Sequence, residues 1–156
     1  MIVLGADMHK SSHTIAAVAA GTGELLGDKT VDVGARGFGA ALDWGRSLGN
    51  ERVWALEDCR HVSGAFERFL LARGERVVRV ATKLMAGARR AGRERGKSDR
   101  IDALAVARAA LRDRIDSLPV AQLAAIRAGD PPARRSSRAP GSQQDGADQR
   151  RPLAFA

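Results

Sequence analysis

The sequence predicts an α/β fold: a mixed β-sheet with its elements in the order β-β-β-α-β-α-β-α, followed by a disordered C-terminal tail. Two changes of pattern carry this expectation. Residues 2–33 hold three strand-length runs of apolar and β-branched residues broken by turns, and from Gly34 helical spacing alternates with short apolar strands. The second change comes after Pro119, where periodicity and core-forming residues give out. The 156 residues thus divide into one domain over 1–123, large enough to bury a core, and a tail over 124–156.

Residues 2–8 are an apolar run ending at Asp7, with Met8-His9-Lys10 after it. Ser11 to Ala20 is rich in small and β-branched residues, Gly21-Thr22-Gly23 is a turn, and Glu24 to Val33 reads as a third strand. The short link at Lys10-Ser11-Ser12 makes the first pair a tight hairpin, so Asp7 sits near an end of the sheet. From Gly34 to Leu48, Phe38, Ala41, Leu42, Trp44 and Leu48 line one face of a helix, and Gly49-Asn50 ends it. Glu51 to Asp58 is apolar on both faces, as an inner strand covered by helices should be. Val62 to Arg73 is a second helix closed by Gly74, and Glu75 to Ala81 is a fifth strand. Thr82 to Gly96 is basic and glycine-containing. Ser98 to Arg112 is the most regular helix, with Ile101, Leu104, Ala105 and Leu111 as its expected core face and Arg108 as a misfit on that face. Gly129 to Ser142 is Arg-, Pro- and Ser-rich text without a period; an abrupt change of this kind is what a frameshift or premature stop would produce.

Composition narrows the function. With 44% hydrophobic and 28% charged residues the chain has an ordinary globular make-up. No run reaches the ~20 apolar residues that cross a bilayer, and no basic leader precedes Met1-Ile2-Val3-Leu4, so the expectation is a cytoplasmic protein with no membrane partner. The single Cys59 excludes an internal disulfide framework and is expected to be a packing residue. A net charge of +8, from 26 basic against 18 acidic residues, points to a polyanion such as DNA. The charge is concentrated at Lys83, Arg89, Arg90, Arg93, Arg95, Lys97 and Arg100, with only Glu94 and Asp99 among them.

That basic run leads into Lys97-Ser98-Asp99-Arg100-Ile101-Asp102-Ala103. Ser98 can cap the helix, and Asp99 and Asp102, three apart, share a face in its first turn, where the helix dipole favours negative charge. A capped helix start would tolerate both acids with no chemistry at all. The other acids shift the balance. Asp7 ends the first strand and Glu57 ends the fourth, and a lone carboxylate buried at a strand end is costly unless it faces a cation, a basic partner or solvent. Three separated acidic positions, each at a strand end or helix start, suggest one carboxylate cluster for divalent cations.

Asp7-Met8-His9-Lys10, Trp54-Ala55-Leu56-Glu57 and Gly96-Lys97-Ser98-Asp99-Arg100-Ile101-Asp102-Ala103 together resemble the N-terminal half of the DEDD transposases, insertion-sequence recombinases related to the Piv DNA invertase. The resemblance covers roughly residues 2–123. It implies an RNase H-like (resolvase-type) fold with four metal-binding, catalytic acids, which fall on Asp7, Glu57, Asp99 and Asp102. Asp58 is set aside because the family's motif places Glu first; it alternates to the other side of its strand, where a surface or capping role is expected. The implied cofactor is Mg²⁺, a hard cation that takes oxygen ligands and keeps waters; two such ions ~4 Å apart can steady the attacking and leaving oxygens of phosphoryl transfer. The implied partners are DNA, a guide RNA in some members, and further copies of the chain in a homo-oligomer. Family members also carry a C-terminal domain with a nucleophilic serine; Ser136 and Ser137, in the tail, cannot be given that role.

The remaining polar residues keep more than one reading. His9 and Lys10 either approach a phosphate or the edge of the metal cluster, or are hairpin residues in water. Lys97 adjoins the acids and is the best phosphate contact; Arg89, Arg90, Arg93 and Arg95 form a diffuse nucleic-acid face or a solvated charge run. His13 and His61 are expected to be surface or satisfied core histidines, and Trp44 and Trp54 core residues, with aromatic residues at only 4% arguing against base stacking. Three functions follow: a transposase catalytic domain, an inactive nucleic-acid-binding remnant of one, and an actin-like ATP-binding domain. The last lacks the second Asp-x-Gly phosphate hairpin and the glycine-rich adenosine motif it would need.

Overall fold

A computed structural model of the chain describes residues 1–58, 64–84 and 99–123. Five strands, β1 (Ile2–Met8), β2 (Ser12–Ala19), β3 (Leu25–Asp32), β4 (Arg52–Glu57) and β5 (Val77–Val80), form one sheet in the order β3-β2-β1-β4-β5. β1 pairs antiparallel with β2 and parallel with β4, β2 with β3 antiparallel and β4 with β5 parallel, so the sheet is mixed, as expected. Helices α1 (Ala35–Leu48), α2 (Gly64–Leu71) and α3 (Asp99–Arg112) follow the predicted order. Cys59, His61 and Ser98 lie outside the described residues, as do Arg89, Arg90, Arg93, Arg95, Lys97 and the whole tail from residue 124.

The alternation of side chains along each strand sorts the core into two layers. Leu4, Ala6 and Met8 of β1 pack with Trp54 and Leu56 of β4 against Phe38 and Leu42 of α1 and Phe66 and Leu70 of α2. Val3 of β1, with Val53 and Ala55 of β4 and Val78 and Val80 of β5, packs on the other face against Val106, Ala107, Ala109 and Ala110 of α3. β1 is therefore central and covered on both sides, which is why its sequence is apolar throughout. Past α3, a short 3₁₀ turn (Ile115–Ser117) returns the chain to the outer edge of β5. There Arg79 N–H donates to Pro119 O at 2.9 Å and Ala121 N–H to Val77 O at 2.9 Å, covering backbone that would otherwise be a free sheet edge.

The face that α3 buries differs from the expected one. Ala103, Val106, Ala107 and Ala110 are buried, whereas Ile101 is 41% exposed and Arg108 is exposed. The cause is Gly5 on β1. A Cβ there would overlap the backbone of Ala103 and Ala107 and lie 2.7 Å from Ala107 Cβ, so the helix rests directly on the strand. Only small side chains fit between backbones that close; the longer Leu104 and Leu111 pack at the flanks. Arg108 is no misfit once the helix is turned this way.

At the sheet end that carries the first residues of β4, Glu75 is buried among basic partners. Arg52 Nε and Nη2 donate to its two oxygens at 2.7 and 2.5 Å, Trp54 Nε1 at 3.1 Å and Arg46 Nε at 3.3 Å. Burial opposes ionisation of Glu75, but the hydrogen bonds from Arg52 and Trp54 and the Arg52 charge outweigh it and hold the carboxyl below the usual glutamate range. A depressed pKa means a stabilisation that is complete above the unfolded value of about 4.3 and is lost as pH falls through the folded value. Glu75→Gln leaves the partly buried Arg52 without its counter-charge and should cost roughly 3 kcal/mol in chemical denaturation at pH 7, a deficit that shrinks below pH ~4. An unchanged midpoint at pH 7 would contradict this.

His13 is a core residue, 1% exposed, stacked on Phe38 at 5.6 Å between centroids and tilted against Phe66 at 5.5 Å. Nδ1 donates to Ser12 O at 3.0 Å, while buried Nε2 has no partner. Desolvation lowers the His13 pKa, against the opposing pull of the Ser12 carbonyl. Because the folded value lies below the unfolded value of about 6.5, the unfolded chain binds the extra proton first and stability falls as pH drops below about 6.5. His13→Phe should flatten the pH dependence of Tm between about pH 6.5 and 5, and an unaltered slope would contradict the burial argument.

Candidate metal centre

Asp7 and Glu57 come together by strand register. β1 and β4 run parallel with Ala6 opposite Leu56, so the next step along each strand sets Asp7 beside Glu57. Both side chains continue the Val3-Gly5 and Val53-Ala55 rows that face α3. Both are 8% exposed. α3 supplies the other half. It crosses β1 with Ala103 and Ala107 over Gly5, so its first turn, with Asp99 and Asp102, lies over the end of the strand where Asp7 sits. The close approach allowed by one glycine thus places a helix N-terminus over two strand-borne acids.

His9, just past β1, joins the group. Its Nε2 lies 2.9 Å from Asp7 Oδ2 and 3.3 Å from Asp99 Oδ1, and one ligand atom from each of Asp7, His9 and Asp99 fall within 4.8 Å of one another. Asp102 is near enough for its charge to act on Asp7, and strand register sets Glu57 beside Asp7, but neither belongs to the group within 4.8 Å. Burial pushes the Asp7 carboxyl above its ordinary range; the charges of Asp102 and Asp99 push it the same way, and His9 pulls against them. A half-enclosed carboxylate facing two more acids is a site of strongly negative potential. The donor set fits a divalent cation: Asp7 from β1, Asp99 from α3 and His9 from the hairpin after β1 each offer one ligand atom to the same small space.

Asp58 faces away, as its position in the strand requires. Its backbone N–H donates to Val80 O at 2.9 Å, and its charge raises the pKa of Arg79, after the larger effect of the hydrogen bond that Arg79 donates to Glu67 on α2. Of the basic residues singled out, Lys10 is exposed at the hairpin tip beside the centre. Arg100 is 56% exposed and pairs with Asp28 on β3 at 2.9 Å. Arg89, Arg90, Arg93, Arg95 and Lys97 lie outside the described residues, and Lys83 is exposed. The bridging position of His9 was only half legible: its distance of two residues from Asp7 was visible, but Asp99 is brought to it by the fold. Among the described residues no helix is long and apolar enough to cross a membrane.

The fold has close parallels among solved structures. That of Thermus thermophilus RuvC matches with a TM-score of 0.57 at 18% identity, over 78% of this chain and 100% of that one. The structure of T. thermophilus RuvC in complex with Holliday junction substrate matches at 0.55 and 17% identity, over 78% and 99%. These likenesses establish an RNase H-like α/β domain. A search of the curated proteins finds no match. A family model of the DEDD transposases of IS110 type, described as "Transposase", matches residues 4–128, and the chain belongs to that family.

Proposed function

We propose that this chain is the catalytic domain of a DNA transposase in which Asp7, Glu57, Asp99 and Asp102 hold Mg²⁺ for strand cleavage and transfer. The observation that carries the reading is the convergence of two neighbouring strand ends and one helix start, distant in sequence, on the same face of the sheet. Mg²⁺, when bound, polarises phosphoryl oxygens and neutralises charge that develops on them. The protein's part is to fix the acids. Asp7 and Glu57 are held by the strand ladder, while Asp99 and Asp102 are favoured by the positive end of the α3 dipole.

DNA would approach across Lys10 and Arg100, with Arg89, Arg90, Arg93, Arg95 and Lys97 extending the basic surface. Their contacts to phosphate position the strand without reading its sequence. Residues 1–123 would form this domain and 124–156 a separate tail. Recombination joins several DNA ends, so the active form would be a homo-oligomer, with a guide RNA as a further partner as in some members of the family. The test is calorimetric titration of the full chain with Mg²⁺. Asp7→Ala and Asp102→Ala should each abolish measurable binding; if both keep wild-type affinity, the carboxylate assignment is wrong.

A further inference from the structure

We infer that His9 is itself a ligand in this centre, which makes it a mixed nitrogen–oxygen site that favours a first-row transition ion such as Mn²⁺ over Mg²⁺. The inference rests on the carboxylate reading above and extends it to a fifth residue and a different metal class. Nε2 of His9 sits 2.9 Å from Asp7 Oδ2 and 3.3 Å from Asp99 Oδ1. Adjacent ligand atoms of an octahedral ion with bonds near 2.1 Å stand about 3.0 Å apart, so the His9 nitrogen has the spacing of a neighbouring ligand to each of the two carboxylate oxygens, all three atoms lying within 4.8 Å of one another. The backbone anchors the residue: His9 N–H donates to Ser12 O at 3.0 Å, closing the hairpin that carries the ring.

The position of the ring has a chemical consequence. The Asp7 side chain is 11% exposed and that of His9 48%, so the imidazole lies on the more solvent-exposed side of the carboxylate it contacts. Mg²⁺ is served by carboxylates and waters and gains little from nitrogen; Mn²⁺ shares that preference for oxygen but, as a softer first-row transition ion, also accepts imidazole nitrogen. Ligation through Nε2 uses the neutral tautomer with its proton on Nδ1. The alternative role for His9 is that of a positioning residue that hydrogen-bonds Asp7 without touching the ion. The two roles give different measurements.

Pulsed electron paramagnetic resonance on the full chain loaded with Mn²⁺ should show nitrogen modulation from a directly bound imidazole, lost in His9→Asn. In parallel titrations His9→Asn should weaken Mn²⁺ binding by at least the roughly tenfold that losing even an outer-shell partner costs, and Mg²⁺ binding by clearly less. Mn²⁺ bound without nitrogen modulation, or equal loss for both ions in His9→Asn, would overturn the proposal and leave the carboxylate reading intact. Mn²⁺ that does not bind, or binds equally well to Asp7→Asn, would defeat both. Should His9→Asn not fold by circular dichroism, His9→Gln is the second variant, and the wild-type spectrum decides without either.

Discussion

Gly5→Ala should lower Tm by roughly 10 °C and weaken divalent-ion binding, although no atom of Gly5 belongs to the metal centre. The added Cβ would overlap backbone atoms of Ala103 and Ala107, and backbone cannot swing aside as a side-chain tip can. α3 must lift off β1, which opens the layer built from Val3, Val106 and Ala107. Overpacking of this kind costs about 3 kcal/mol, and a domain of this size loses about 3–4 °C in Tm for each kcal/mol. The same movement carries Asp99 and Asp102 away from Asp7, so stability and ion affinity should fall together. Gly21→Ala is the control, because a Cβ at Gly21 meets nothing within 4 Å. Thermal scans with and without Mg²⁺ on both variants check this. A Gly5→Ala protein with wild-type Tm would show that the contact between helix and strand is not tight.

The second large effect belongs to Asp7. Asp7→Asn keeps the size and the strand position of the side chain but removes its charge. Metal assistance supplies several kcal/mol of transition-state charge stabilisation, so losing it should slow Mg²⁺-dependent DNA strand cleavage about 1,000-fold, the equivalent of about 4 kcal/mol. The pKa of Asp7 is pushed up by burial and by Asp102 and Asp99, so the charge is costly to hold in the apo protein. Asp7→Asn should therefore leave Tm equal or raise it while activity collapses, a combination that loss of folding cannot produce. Asp58→Asn, one residue from Glu57 but turned towards Arg79, should keep both ion affinity and cleavage. Equal losses in the Asp7 and Asp58 variants would contradict the assignment of faces.

Much of this site could be read along the chain because it depends on local patterns. Asp7 and Glu57 end apolar strands; the choice of Glu57 over Asp58 rests on the family's motif, and a strand's period of two agrees with it. Asp99 and Asp102 open a helix, and their spacing puts them on one face. The orientation of α3 could not be read this way. Ile101, Leu104, Ala105 and Leu111 are the larger apolar stripe, yet the alanine stripe is buried, because a glycine about a hundred positions earlier lets the helix settle onto the strand. Hydropathy weighs side chains one by one; a close approach depends on what is missing opposite. Glu75 and Glu67 were equally hidden, since their partners Arg52 and Arg79 lie 23 and 12 residues away and neither spacing is a local motif.

The family and the fold stand on independent comparisons, whereas the roles of the four acids rest on where the fold puts them. The most direct test is anomalous diffraction from crystals of the full chain soaked in Mn²⁺. The account predicts a peak between the carboxylates of Asp7, Glu57, Asp99 and Asp102, on the α3 side of the β1 and β4 ends. A well-occupied ion elsewhere, with these carboxylates bare, would contradict it.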